Sequence, residues 1–241
     1  MNDTGRLSTS LTLLQSISHS DQVENVLRGI CRLFSLKHMT FLVVRAGAAP
    51  TQYPYYCTTY PKLWTETYVA GNFFEVDPVV DILRWSRLPV DWSALLSGRT
   101  SQFFEDARRS DVGSHGMTIP LRGPHGERCL FSVSSDHHHS EWSRLKANST
   151  HELSIISHLL HDKVLSALDL AIQRPWRALS RRERQCLEQI AVGFIPKQIA
   201  AKLSISESSV RLYLRSARRK LDAKTSHQAV ARASFFEMIN I

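Results

Sequence analysis

Apolar positions change their period along the chain. Between residues 21 and 34, Val23, Val26, Leu27, Ile30 and Leu33 follow the three- and four-residue spacing of one helix face. Residues 37–45 (KHMTFLVVR) and 53–60 (YPYYCTTY) instead concentrate the β-branched and aromatic residues that suit a pleated, half-buried surface. Helical stretches follow over about 61–71, 77–86 and 102–110. Residues 115–122 (HGMTIPLR) and 127–136 (ERCLFSVSSD) predict a hairpin turned by Gly123-Pro124-His125-Gly126. Pro120 has no N–H to give a ladder, so its strand is expected at an edge or a bulge. A helical pattern then runs from about 140 to 170, carrying Leu153, Ile156, Leu159, Leu160 and Val164, and is expected to lie across a sheet or at a subunit interface. Pro175, within AIQRPWRA, stops it. These elements predict a first domain of a sheet with helices, α/β or α+β, up to about residue 170, followed by a linker at 171–175.

The last quarter reads as four short helices between 180 and 238. Ser180-Arg181-Arg182-Glu183 has the S-x-x-E form of a capping box and opens the first, and Gly193 closes it. Pro196 fits the first turn of the second, where its missing N–H costs nothing. Ser204-Ile205-Ser206 makes a tight turn, and Ser206 caps the third helix, ESSVRLYLRSARRKL. Thr225-Ser226-His227-Gln228 resembles a further capping box and opens the fourth. On the third helix Val210, Leu214, Ala217 and Leu221 form an apolar stripe, while Ser208, Arg211, Arg215 and Arg218 fall on another face.

Charge changes the picture. Residues 1–175 hold 17 Lys and Arg against 17 Asp and Glu, whereas residues 176–241 hold 13 against 5, which is the whole net charge of +8. A basic module beside a neutral one suggests a nucleic-acid-binding end, although a merely soluble basic surface has the same composition. The caps, the short turn and the Arg-bearing helix together favour a helix-turn-helix, whose second helix enters the major groove. There the planar fork of Arg can bond guanine O6 and N7 or grip a phosphate.

Other composition features exclude more than they add. Cys31, Cys57, Cys129 and Cys186 are far apart with no CxxC pair, so neither a disulfide framework nor a zinc site is indicated. No stretch approaches the roughly 20 apolar residues of a membrane span. The start, MNDTGRLSTSLTLL, lacks a basic segment followed by an apolar run, and a cytoplasmic location is expected. Asp136-His137-His138-His139 invites a metal, but adjacent histidines point apart, so a solvated loop is the expectation. No Ser-His-Asp grouping, hydrolytic HxHxDH motif or phosphate-binding Gly loop is evident, so neither an enzyme nor a cofactor is expected.

Residues 180–233 resemble the LuxR-type DNA-binding domain. The matching positions are Ser180, Arg182, Glu183, Leu187, Ala191, Gly193, Ile199, Ala200, Leu203, Ile205, Ser206, Val210, Lys220 and Leu221. Phe194-Ile195-Pro196, Gln198 and Tyr213 depart from that pattern. The resemblance implies that Arg211 and Arg215 read bases, with Ser208 on the same face, and that Lys197, Arg218, Arg219 and Lys220 contact phosphates.

The stretch YPKLWTETYVAGNFFEVDPVV (60–80) is similar to the autoinducer-binding domain of quorum-sensing regulators, through Tyr60, Pro61, Trp64, Tyr68, Asp77 and Pro78. Trp92, FFEDA (103–107) and HGMTIPL with Gly116 continue the match. The likeness implies an α+β protein: an α-β-α sandwich over residues 1–170 that binds an N-acyl-homoserine lactone and dimerises, and a helix-turn-helix over 176–241. Trp64 would donate to the lactone carbonyl, Asp77 would accept from the amide N–H, and Tyr60 and Ser132 would donate to the amide carbonyl. Tyr68, Phe74, Val79, Val80, Trp92 and Phe104 would form the walls. The run of the chain resembles long-chain responders. DNA, the autoinducer, a second copy of the chain and RNA polymerase are the implied partners.

Taken singly, these residues have plainer uses. Tyr60, Trp64 and Tyr68 suit core packing, Asp77 before Pro78 suits a helix N-cap, and Ser134 points the same way as Ser132. A regulator answering another molecule or none, or a lactone-metabolising enzyme joined to a DNA-binding end, are the alternatives.

Overall fold

The computed structural model describes residues 3–45, 52–123, 126–168, 177–236 and 238–239, and the expected linker at 171–175 lies outside them. The chain divides into two compact units, one of residues 1–123 and 127–172 and the other of residues 124–126 and 173–241.

The first unit runs α1 (Asp3–Gln15), α2 (Val23–Phe34), β1 (His38–Arg45), β2 (Gln52–Thr58), α3 (Lys62–Ala70), α4 (Pro78–Trp85), β3 (Val90–Asp91), α5 (Ser101–Arg109), β4 (His115–Arg122), β5 (Arg128–Ser135) and α6 (His139–Ala167). The five strands pair antiparallel in the order β2-β1-β5-β4-β3. Alternation along the strands sorts side chains to two faces. Met39, Phe41, Val43, Ile119, Phe131 and Val133 pack with residues of α1, α2 and α6, including Leu27, Ile30, Leu153 and Ile156. Leu42 and Leu130 point the other way, into a second core with Trp64, Tyr68, Ile82 and Trp92. The unit is therefore an α-β-α sandwich.

Pro120 does not mark an outer strand, because β4 lies between β5 and β3. β3 pairs only Val90 with Thr118 and Asp91 with Met117, so that side of β4 is without a ladder at Pro120 among the described residues. Helix α1 is not apparent from periodicity. Its Thr9, Ser10 and Thr12 hydroxyls bond carbonyls four residues back, an arrangement that hides a helix in a Ser/Thr-rich sequence. Arg6 fixes it by pairing with the buried Glu152 of α6 at 2.9 Å.

The second unit contains α7 (Arg181–Ala191), α8 (Pro196–Leu203), α9 (Glu207–Lys220) and α10 (Ser226–Phe235). Cys186, Leu187, Ile199, Val210, Leu214, Ala217, Leu221 and Ala229 form its core. The Ser180–Glu183 capping box is made, with Ser180 N–H donating to Glu183 Oε2 at 2.6 Å and Glu183 N–H to Ser180 Oγ at 3.3 Å. Gly193 turns at φ 94°, where a Cβ would be strained. Thr225 accepts from Gln228 N–H, but the Gln228 side chain reaches one residue further back than a capping box requires, to Lys224 N–H at 2.7 Å.

Candidate functional site

One cavity in the first unit is lined by all eight of the expected ligand-binding residues: Tyr60, Trp64, Tyr68, Asp77, Val79, Trp92, Phe104 and Ser132. Val80 joins them, while Phe74 packs behind, edge-on to Tyr68 at 4.8 Å. Periodicity did not single out Thr40, Leu42, Tyr56, Phe103, Ala107, Val112 and Leu130, which complete the lining. The cavity volume is about 40 Å³. Pockets that hold drug-sized molecules occupy about 300–1,000 Å³, so admitting an acylated molecule requires this aromatic lining to part.

Asp77 serves two purposes. Its Oδ1 caps α4 by accepting from Val79 N–H at 2.7 Å, and its Oδ2 accepts from the Tyr68 hydroxyl at 2.7 Å. Burial pushes its carboxyl up to about 6, against the pull of those two hydrogen bonds. A carboxylate has about four lone-pair sites, so acceptor capacity remains on the cavity side. Trp64 lines the same space, and its indole N–H makes no hydrogen bond among the described residues. Tyr68, expected as wall alone, also orients Asp77.

Ser132 and Ser134 differ in what they touch. The Ser134 hydroxyl is spent on the Val112 carbonyl at 2.5 Å, whereas Ser132 lies 2.8 Å from Thr118 Oγ1 at the cavity surface. Trp92 donates its indole N–H to Thr118 Oγ1 at 2.9 Å and so presents only its ring. Gly116 leaves room for that ring, since a Cβ there would come within 2.2 Å of it. Along the histidine run, His137 turns to the Ser35 carbonyl while Asp136 accepts from Ser114 N–H and pairs with Lys37.

In the second unit, α8, a turn through Ser204 at φ 52° and α9 set one exposed face of α9 outward. Ser208, Arg211, Arg215 and Arg219 lie on it, and Lys197 is exposed at the start of α8. Arg211 is held by Glu207, one turn back, at 2.6 Å. Such an exposed pair is worth only about 0.3–0.5 kcal/mol, so releasing Arg211 to another partner costs little. Leu212, 61% exposed between the two arginines, was not foreseen. Two of the residues expected at phosphates also have partners within the unit. Lys220 gives its ammonium to buried Glu183 at 2.6 Å and to the Ala178 carbonyl at 3.1 Å, and Arg218 is half-buried, donating to the Lys224 carbonyl at 3.3 Å. Both hold the helices together.

Residues 19–164 match the autoinducer binding domain, and residues 177–233 match the luxR family of bacterial regulatory proteins. The chain belongs to the LuxR family of quorum-sensing transcription regulators. A transcriptional activator from Rhizobium etli, RaiR, is 46% identical over 187 residues, covering 76% of each chain. The quorum-sensing regulator RhlR of Pseudomonas aeruginosa is 33% identical over 184 residues, covering 75% of this chain and 74% of its own. The fold of this LuxR-type regulator is that of Escherichia coli SdiA, whose crystal structure superposes with a TM-score of 0.70 at 21% identity, covering 100% of both chains. Among the described residues no helix is long and apolar enough to cross a membrane, and no group of His, Cys, Asp and Glu could hold a metal ion.

Proposed function

We propose that this LuxR-type regulator binds an N-acyl-homoserine lactone through residues 1–170 and an inverted-repeat operator, as a homodimer, through residues 176–241. The observation that carries the ligand assignment is the convergence of Trp64, Asp77, Tyr60 and Ser132 on one apolar cavity. A buried amide and lactone need their hydrogen bonds met inside the protein, and these groups supply donors for two carbonyls and an acceptor for one N–H. The long acyl chain rests on the resemblance of the sequence to long-chain responders. The exposed Ile155 and Leu159 of α6 support that helix as a dimer contact, with α10 as the second. Two copies would set the α9 helices about one DNA turn apart. The activator named among its relatives favours activation, through RNA polymerase.

The test is the melting temperature of the full chain with a panel of acyl-homoserine lactones of graded chain length. A rise of several degrees with one class supports the assignment. No shift with any of them leaves a LuxR-type regulator of another ligand, and turnover of the lactone indicates an enzyme.

The Asp77 carboxyl adds a pH signature. The ionised form accepts the amide N–H more strongly than the protonated one, so below its value of about 6 the charge-assisted bond is made only at the cost of expelling a proton. Affinity is expected to be flat above that point and to fall by up to about tenfold per pH unit below it. Titration calorimetry between pH 5 and 8 checks this, and an affinity unchanged at pH 5 would remove Asp77 from the contact.

On the DNA side, Arg211→Ala or Arg215→Ala is expected to cost about 1–3 kcal/mol at the base read and to relax sequence preference. Lys197→Ala or Arg219→Ala should weaken all sequences alike and lower the salt slope by about one. Gel shifts on operator and scrambled duplexes at two salt concentrations separate the two kinds of residue.

A further inference from the structure

A second space lies behind part of the aromatic wall. Trp92, Phe104 and Ala107 line both the cavity already described and a cleft of about 330 Å³ bordered by α5, β4 and the start of α6. That volume falls in the range of about 300–1,000 Å³ that small-molecule sites occupy. Trp142 adds a third large ring to the cleft. The His115 ring lies parallel to it, at 9° with centroids 6.1 Å apart. Such rings offer a small aromatic molecule the offset and edge contacts it packs best against.

The acids of the cleft are spent and several of its bases are not. Asp91 accepts from Ser93 N–H at 2.8 Å and Trp142 Nε1 at 3.0 Å, and pairs with Lys146. Glu105 pairs with Arg109 at 3.1 Å. The rings of His115 and His139 stand 5.9 Å apart, and their nitrogens make no hydrogen bond among the described residues. The Arg108 guanidinium makes none either and lies 3.7 Å from Glu105. Unspent donors on three basic side chains suit an anion. His115 is held below its ordinary value by burial first and by His139 next, with Lys146 adding to this and Asp91 and Asp136 opposing it. An anion beside the two imidazoles offsets their mutual repulsion, so a proton is taken up with it.

We infer that this cleft is a second ligand site, for a small aromatic carboxylate, whose ring lies against Trp92, Phe104 and Trp142 and whose carboxylate meets His115, His139 and Arg108. The shared wall couples it to the first cavity. Trp92 is fixed by its bond to Thr118 and its close packing on Gly116. Phe104 touches Trp92 and Phe103 through ring contacts and has no polar atom to tether it, so it is the panel that can move. An acylated molecule needs the lining of the first cavity to part, and a ring behind Phe104 blocks its retreat. The two ligands therefore oppose each other, each weakening the other by the same factor. The second site stands without lactone binding, and only the coupling rests on that reading.

The test is titration calorimetry of the full-length protein with 2-naphthoate, and with neutral 2-naphthamide as the control. The acid is expected to bind about 10- to 150-fold more tightly than the amide, the worth of a charge-assisted hydrogen bond. It should bind more tightly at pH 6 than at pH 8, with a heat that depends on the buffer because a proton is taken up. His139→Gln and Arg108→Gln, both at exposed positions, should each weaken naphthoate about tenfold and leave the affinity for lactone alone unchanged. In the wild type, naphthoate should raise the apparent Kd of the lactone to a plateau, whereas naphthoate bound in the lactone cavity would raise it without limit. No binding of naphthoate, equal binding of acid and amide, binding unchanged in both variants, or competition without a plateau would each overturn the second site and leave the lactone assignment standing. A lactone affinity indifferent to naphthoate would overturn the coupling. Failure of every lactone to bind, with naphthoate still sensitive to His139 and Arg108, would remove the lactone assignment and the coupling and leave the second site in place.

Discussion

Lys220→Ala is expected to remove about 3–5 kcal/mol from the stability of the C-terminal helical unit, far more than any change on the exposed face of α9. The Glu183 side chain is 5% exposed and that of Lys220 is 22%, and the pair joins α7 to α9 at 2.6 Å. Removing the cation leaves a carboxylate buried with only its capping-box and Ser216 contacts. Burial alone would raise the Glu183 carboxyl, but Lys220, Ser216 and Ser180 outweigh it and hold it at about 2. Because that value is depressed, its stabilisation is full above the ordinary carboxylate range, near 4.5, and is lost as pH falls from there toward 2. In Lys220→Ala this acid limb should flatten. Guanidinium unfolding of the full chain, followed by helical circular dichroism at pH 7 and pH 3, checks both points. A variant as stable as wild type would leave Lys220 with the phosphate contacts alone.

Asp77→Asn is expected to affect binding and stability in opposite directions. Asparagine caps helices about as well as aspartate, so Val79 N–H keeps its acceptor and α4 its start. The charge-assisted bond to a ligand amide is lost, weakening lactone binding by about 1.5–3 kcal/mol, or roughly 10- to 150-fold. The ligand-free protein moves the other way. A carboxyl raised to about 6 in the folded state opposes folding increasingly as pH rises from its ordinary value of 3.8, and the full penalty is present at pH 7. The variant should therefore melt at or above the wild-type temperature at neutral pH, yet respond to lactone only at much higher concentration. A large loss of ligand-free stability would show that Asp77 is chiefly structural.

What could be read from the sequence followed from how local each signal is. Caps at Ser180, Ser206 and Thr225 and the turn at Gly193 depend on residues within one helical turn, and each was visible. Tyr60, Trp64, Tyr68 and Asp77 lie close together in the sequence and face one cavity. Thr40, Tyr56 and Leu130 face it too, but whether a strand residue faces the cavity depends on register with neighbours more than ninety positions away, which periodicity does not encode. The pairing of Lys220 with Glu183 was illegible for the same reason. On its own helix Lys220 continues a basic run, and its partner is 37 residues distant. Helix α1 was hidden by its Ser and Thr content, and β3 by having two residues.

The narrowness of the 40 Å³ cavity has a consequence in time. Walls that must part to admit a ligand must part again to release it, so both exchange rates follow the motion of Trp64, Phe103, Phe104 and their neighbours rather than diffusion. With a lactone bound as proposed, slow release is the expected outcome, checked by timing the loss of ligand after dilution of the loaded protein; the regulator's transcriptional output would then outlast the signal by the lifetime of the complex.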